Sequence, residues 1–300
     1  MMLAVAAELE DEVLMLSVQT TFFNADVEEE VYVKMTPGYD IFDSPRVPFV
    51  MKLKQSLYGL RQSPKNWFGT IGDHLSTIDF RSLVPNPCIY GFEDKNGNVI
   101  LTLYVNDILL LGKNKQLLGK LKKQVMDGFE MTDFGDMSKV LDMNVTRGRE
   151  NGTITIDQKN YTGDILERYG MKHCNVAFTP GVGPEIFFDQ PVDRMLDKQK
   201  KQRYQSITGV LMYLSQVSRY NIIYTVNQLA RAMPKPSKAH MGATKHVRRY
   251  LAGSANFSIT YRRGGFKLTT YTGANWRGNP NNGKSTSSYI VILANGPIIF

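Results

Sequence analysis

Residues 98–111 constrain this chain more than any other stretch. They carry the run VILTLYVNDILLL, which is apolar at nearly every position. A strand covered on one face alternates apolar and polar residues, whereas a strand apolar throughout needs cover on both. The run is therefore expected in the centre of a sheet. Residues 87–92 should pair with it as a hairpin across an Asn96-Gly97 turn. One dipeptide breaks the pattern. Asn106-Asp107 sits in mid-run, where an unpaired buried charge is costly. The pair would fit a hairpin tip, but no turn residue flanks it. Two readings stay open on local pattern alone: a functional site, or a strand end bordered by solvent.

The rest of the chain supplies the partners of that strand. Met1 to Glu10 reads as the end of an amphipathic helix. Residues 13–18 (VLMLSV) and 49–53 (FVMKL) are short strands, with an acidic loop over 26–38 that contains VYVKM and a PG turn. A helix starts at Ser63-Pro64, with Ser63 as its cap and Pro64 in the first turn, and buries Trp67, Phe68, Ile71 and Leu75. Leu117 to Phe129 is a basic amphipathic helix. Residues 139–147 and 152–157 form a hairpin around Asn151-Gly152, and Gln158 to Tyr169 is a helix. The Pro-, Gly- and charge-rich residues 174–200 read as a linker. Helices over 203–217, 221–233 and 237–252 follow, then short strands at 256–261, 266–271 and 287–293. This order makes the chain α+β rather than doubly wound.

Charge separates the two ends of the chain. The formal net charge is +8, yet no Asp or Glu follows Asp197, and residues 198–300 carry sixteen Lys and Arg. Residues 1–197 are correspondingly −8. Such asymmetry points to an anion-binding C-terminal part, with nucleic acid as the expected partner. It also means that residues 198–300 cannot by themselves hold divalent cations with carboxylates. No apolar run reaches the roughly 18 residues of a membrane span, and no secretory signal is visible. Two cysteines are too few for a disulfide framework or a zinc site, so an intracellular setting is expected.

Several segments together resemble one family. Residues 104–112 (YVNDILLLG) are similar to the YVDDILIxG segment of copia-type retrotransposon reverse transcriptases. Residues 16–25 (LSVQTTFFNA) resemble its LDVKTAFLNG, 26–39 its acidic loop, and 51–67 (MKLKQSLYGLRQSPKNW) its KLKKSLYGLKQSPRxW. Residues 203–217 (RYQSITGVLMYLSQV), 228–251 and 271–289 follow its later segments in order. The resemblance implies a reverse-transcriptase palm and thumb over 1–172, without the family's fingers segment. It further implies a linker over 173–202, a helical connection over 203–253 and the first antiparallel strands of a ribonuclease H-like domain over 254–300. The rest of the Pol polyprotein is expected to lie outside this chain. The implied partners are an RNA template and RNA–DNA hybrid, and the implied cofactor is Mg²⁺.

The departures from the pattern fall on acidic positions. The family places its metal-binding Asp residues where this chain has Ser17, Asn106 and Asp107, so Asp107 alone is retained. Its SDADW appears as Thr272-Gly273-Ala274-Asn275-Trp276, with Gly273 and Asn275 at the acidic positions of the ribonuclease H remnant. Its TRPDI appears as Ser218-Arg219-Tyr220-Asn221-Ile222, and the Gly of its LGM segment is Asp142. Asn106, Asn221 and Asn275 are each one base transition from Asp, a pattern of mutational decay. The expectation is a chain without polymerase activity, with a nucleic-acid-binding module as the alternative.

The remaining candidates are weighed residue by residue. Gly59, Arg61 and Gln62, in LYGLRQSP, match a segment near template and nucleotide in the family. Gly permits close approach of a ligand, and Arg suits phosphate. Lys245, Arg248, Arg249, Arg262 and Arg263 are the expected phosphate contacts, since without nearby acids their charges need an anion. Lys113, Lys115, Lys120, Lys122 and Lys123 read as an exposed helix face. His74, His173, His240 and His246 lack ligand-like spacing. Trp67 and Cys88 read as core residues; Trp67 and Trp276 could otherwise stack on bases.

Overall fold

The structure is a computed structural model that describes residues 1–36, 49–83, 86–181, 183, 191, 194–279 and 282–300. The Pro37-Gly38 turn and much of the linker read from the sequence lie outside the described residues. Helix α1 (Met2–Leu9) precedes β1 (Glu12–Val18), β2 (Tyr32–Lys34), β3 (Val50–Lys52), α2 (Ser63–Thr77) and β4 (Arg81–Ser82). Then come β5 (Ile89–Asp94), β6 (Gly97–Tyr104), β7 (Asp107–Gly112), α3 (Lys115–Met126) and β8 (Met131–Asp136). The chain divides into two compact units, Asp11–Met137 and Met1–Glu10 with Ser138–Phe300.

In the Asp11–Met137 unit the long apolar run is two strands, not one. It folds back at Val105-Asn106, so Tyr104 pairs with Asp107 and β6 pairs with β7 along its length. These strands are interior to a six-stranded antiparallel sheet ordered β4-β5-β6-β7-β1-β8. The reversal explains how such a long apolar run fits a small unit. Each half is short enough to lie under α2 and α3, whose Trp67, Ile71, Leu75, Leu117, Leu118, Leu121 and Val125 pack on Leu16, Leu101, Leu103, Ile108 and Leu110. Burial on both faces holds for the end of β7 (Leu110, Leu111), but β6 alternates, with Ile100 and Thr102 only half-buried. The β5–β6 turn is also one residue earlier than expected. Its tip is Lys95-Asn96, held by the Asp94 carboxylate accepting from the Asn96 N–H (2.7 Å), and Gly97 opens β6.

Two helix starts differ from the pattern reading. Gln62 already has helical backbone, so Ser63 lies inside the first turn of α2, and its hydroxyl donates to the Leu57 carbonyl (2.7 Å) instead of capping. Asn114 starts α3 two residues early by accepting from the N–H groups of Gln116 and Leu117. Cys88 is half-buried rather than a core residue, and it lies in the turn just before β5.

The other unit holds β9 (Lys139–Val140), β10 (Met143–Gly148), β11 (Thr153–Asp157), α4 (Lys159–Arg168), α5 (Lys198–Val217), α6 (Ile223–Arg231) and α7 (Lys238–Gly253). Strands β12 (Ser258–Arg262), β13 (Thr269–Asn275), β14 (Thr286–Leu293) and β15 (Gly296–Ile299) follow. Helices α4 to α7 share a core built on Ile165, Tyr204, Leu211, Leu214, Val226, Val247 and Leu251. Helix α5 begins at Lys198, inside the stretch read as linker, because the Asp197 side chain accepts from the Lys200 N–H (2.8 Å). Strand β12 does not join the C-terminal strands as its position suggests. It pairs with β11, where alternating Ile154 and Ile156 meet Tyr261 and Ile259, and completes the sheet β12-β11-β10-β9. The C-terminal sheet is β13-β14-β15. Among the described residues no helix is long and apolar enough to cross a membrane.

Candidate active site

The β6–β7 tip is the point where the sequence and the geometry meet. Val105, a β-branched residue, has φ +56°, a conformation that such residues rarely adopt without a compensating constraint. The constraints are visible on both sides. Trp67, only 2% exposed, donates its indole N–H to the Val105 carbonyl at 2.7 Å. The N–H of Val18 donates to the Asn106 carbonyl at 2.9 Å. Trp67 is thus a core residue, as its helical spacing suggests, and its single polar atom anchors the tip.

Pairing of β1 with β7 sets Ser17 directly opposite Asp107. The Asn106 amide N–H₂ donates to Ser17 Oγ at 2.8 Å and to Asp107 Oδ1 at 3.1 Å. Three side chains far apart in sequence therefore form one half-buried cluster. Burial pushes the Asp107 carboxyl above its ordinary value, and the facing Ser17 hydroxyl offsets part of that rise. Among the described residues no Lys or Arg side chain pairs with this carboxylate.

The other candidates are more dispersed. Gly59 has φ +98° and open space around it, so it serves a turn that side-chain-bearing residues resist. Arg61 is exposed and Gln62 half-buried at the start of α2. Lys245 is exposed on α7, but its neighbour Arg248 is only 5% exposed. The Arg248 guanidinium lies 5.2 Å from the Tyr169 ring centre and donates to the Thr244 carbonyl, and desolvation lowers its pKa to about 10. Arg248 is therefore a packing residue rather than a phosphate contact. Helix periodicity turns it inward one residue before Arg249, which itself donates to the carbonyls of Asn175 and Val176. Arg262 and Arg263 are exposed, but Arg263 pairs with Glu10 at 3.5 Å. The acid-free sequence is thus not acid-free in space, because α1 returns to this unit.

In the C-terminal sheet, Gly273 is exposed on β13 opposite Ser288. Asn275 accepts from the Thr286 N–H at 2.5 Å and closes the end of the β13–β14 pair. Trp276 is 91% exposed. Reading the sequence missed the backbone strain at Val105, for which no side-chain pattern is a signal.

A family description, "Reverse transcriptase (RNA-dependent DNA polymerase)", matches residues 1–183. The chain belongs to the reverse transcriptase family. Over 99% of its length it is 31% identical to a retrovirus-related Pol polyprotein from transposon TNT 1-94 of Nicotiana tabacum, and 29% identical to one from transposon RE1 of Arabidopsis thaliana. It spans 22% and 20% of those polyproteins, about a fifth of their length. A transposon Ty5-1 protein of Saccharomyces cerevisiae is 27% identical over 94% of the chain and is itself 90% covered. The family and its copia-type retrotransposon relatives are therefore those that the quoted segments suggested.

Reverse transcriptases generally depend on Mg²⁺, and the donor set of this cluster can be tested against that ion. Mg²⁺ takes oxygen ligands and is best served by carboxylates; a pair of Mg²⁺ ions needs several. Here one carboxylate stands beside a hydroxyl and an amide. The amide turns its N–H₂ toward the other two, so hydrogens face the space where ligand oxygens would be needed. Among the described residues no group of three or more His, Cys, Asp or Glu side chains comes together. The cluster does not fit a two-metal site.

Proposed function

We propose that this chain is the palm-and-thumb region of a copia-type reverse transcriptase that has lost polymerase activity, followed by a helical connection and ribonuclease H-like strands. The observation that supports it is the self-satisfied Ser17–Asn106–Asp107 cluster. The tip, its strain and its supports are in place, but the charge that would offset two dications is not. Gly273 and Asn275 support the same reading for the ribonuclease H-like strands, since neither side chain carries a charge.

Primer extension on an RNA template with Mg²⁺ or Mn²⁺ tests the reading. The expected result is no templated product from this chain. The double variant Ser17→Asp/Asn106→Asp is expected to bind Mg²⁺ at least tenfold more tightly by calorimetry. Robust templated synthesis by the unaltered chain would overturn the proposal.

A nucleic-acid-binding role carried by the basic C-terminal half is the second reading, supported by Lys245 and Arg262, which are exposed. It requires affinity for RNA–DNA hybrid that falls steeply with salt.

A further inference from the structure

Arg219 is a buried cation with no carboxylate partner among the described residues. It lies between α5 and α6, just before the one-turn 3₁₀ helix Tyr220–Ile222, and is only 2% exposed. Its Nη2 donates to Ser254 Oγ at 2.6 Å and its Nε to Asn221 Oδ1 at 3.3 Å. Its Nη1 has no hydrogen-bond partner. Both polar partners are neutral, and no carboxylate is among them. The guanidinium carbon lies 5.8 Å from the Tyr250 ring centre and 5.4 Å from that of Phe257, which stabilises the cation without consuming a donor. Burying a guanidinium with an orphaned donor is among the more expensive arrangements a protein can keep.

Arg219 lines a cavity of about 430 Å³ together with Ser218, Asn221, Tyr250, Asn256 and Phe257. No lining side chain is acidic. Among the described residues only one other buried side-chain atom lacks a partner, Nε2 of Gln158, and it is also a donor. Its side chain is tied to the same segment, since Ser218 Oγ donates to Gln158 Oε1 at 2.7 Å. An arginine with an unsatisfied donor lines a polar, acid-free cavity, and the second unsatisfied donor belongs to Gln158, which is bonded to the lining residue Ser218. Such a site lacks an acceptor carrying negative charge.

We propose that this cavity is a binding site for a small oxyanion of the phosphate class, with Arg219 as its charged anchor and Asn221 and Ser218 at its wall. Five N–H groups in a rigid fork suit the guanidinium to a tetrahedral oxyanion. Phe257 lines the same cavity and is exposed, so the shared chemistry is a phosphate group, either free or carried on a nucleotide.

The test is titration of the full chain with inorganic phosphate, and separately with adenosine 5′-monophosphate, at constant ionic strength, read by calorimetry and by thermal shift. Saturable binding of phosphate with a rise in Tm is expected. An equal affinity for the mononucleotide assigns the site to the free anion; a tenfold tighter one assigns it to a nucleotide-borne phosphate. Arg219→Gln should abolish binding, but removing a buried cation can also unfold the chain. Asn221→Asp keeps the fold testable: it places a carboxylate beside the Arg219 Nε and should weaken phosphate binding at least tenfold while raising the Tm of the anion-free chain. Absence of saturable binding by either probe, or unchanged phosphate affinity in Asn221→Asp, overturns the proposal.

Discussion

Three hairpins among the described residues place residues other than glycine in left-handed backbone at a two-residue tip, and two of them, β6–β7 and β9–β10, are held in contrasting ways. At the β6–β7 tip, Val105 has φ +56°. Its carbonyl accepts from a fully buried tryptophan, and the adjoining Asn106 is bonded through both backbone and side chain. At the β9–β10 tip, Leu141 and Asp142 have φ +47° and +57°. That tip is held from the surface: Tyr213 donates its hydroxyl to the Leu141 carbonyl at 2.6 Å, and Lys139 lies 3.7 Å from Asp142 between exposed side chains. The first tip is over-determined by the core, which is how strained backbone persists at functional sites. The second carries comparable strain with little to hold it, and Asp142 stands where the family pattern has glycine.

The largest effect should come from removing the core's hold on the first tip. Trp67→Phe keeps most of the packed ring but leaves the Val105 carbonyl without its donor. A loss of about 1–3 kcal/mol is expected in urea unfolding, from the orphaned acceptor and the lost volume. Tyr213→Phe at the second tip should cost under about 1 kcal/mol, because water can replace its hydroxyl. Equal losses from the two variants would erase the distinction between them.

The strain itself gives the next effect. Left-handed backbone costs a residue with a Cβ roughly 1–2 kcal/mol, and glycine returns part of that gain through the entropy of the unfolded chain. Leu141→Gly should therefore raise stability by about 0.5–1 kcal/mol, and Val105→Gly by at least as much, because a β-branched residue suffers more in this region. A fall in Tm for Val105→Gly would mean that the first tip is not strained.

These tips also mark how far the sequence could be read. The apolar run at 99–112 announces central strands, and the spacing of Trp67, Ile71 and Leu75 announces the helix that covers them. The fold-back between them is hidden, because Val105 is a strand-former and its conformation is imposed by Trp67 and β1 rather than by any local signal. Pairing across the chain is hidden for the same reason. Nothing in the pattern of Ser258 to Arg262 shows that it completes the sheet of β11. The residues of the candidate site are visible one by one in the quoted segments, but their mutual hydrogen bonds are not. Charge was misread where only distance in sequence was available. Arg248 turns inward by helix geometry, and Arg263 finds Glu10 because the first helix belongs to the same unit.

The smallest expected effect concerns the acid left alone at the first tip. Burial raises the folded-state pKa of Asp107 above its unfolded value, with the Ser17 hydroxyl opposing the rise. A carboxyl raised in this way favours the fold below its unfolded pKa, near 3.9, and loses that advantage as pH climbs through the raised value. At neutral pH the ionised Asp107 therefore weighs against folding. Asp107→Asn keeps an acceptor for the Asn106 amide and removes the charge. It should stabilise the chain at pH 7 by less than about 1 kcal/mol, since solvent screens a half-buried group, and the gain should vanish near pH 3. The β9–β10 tip provides the contrast. Asp142 is exposed beside Lys139, so Asp142→Asn should bring no gain at pH 7. A gain at pH 7 that persists at pH 3 would trace the Asp107→Asn effect to packing instead of charge. No gain would mean that the cluster supplies this carboxylate with compensation beyond the Ser17 hydroxyl and the Asn106 amide.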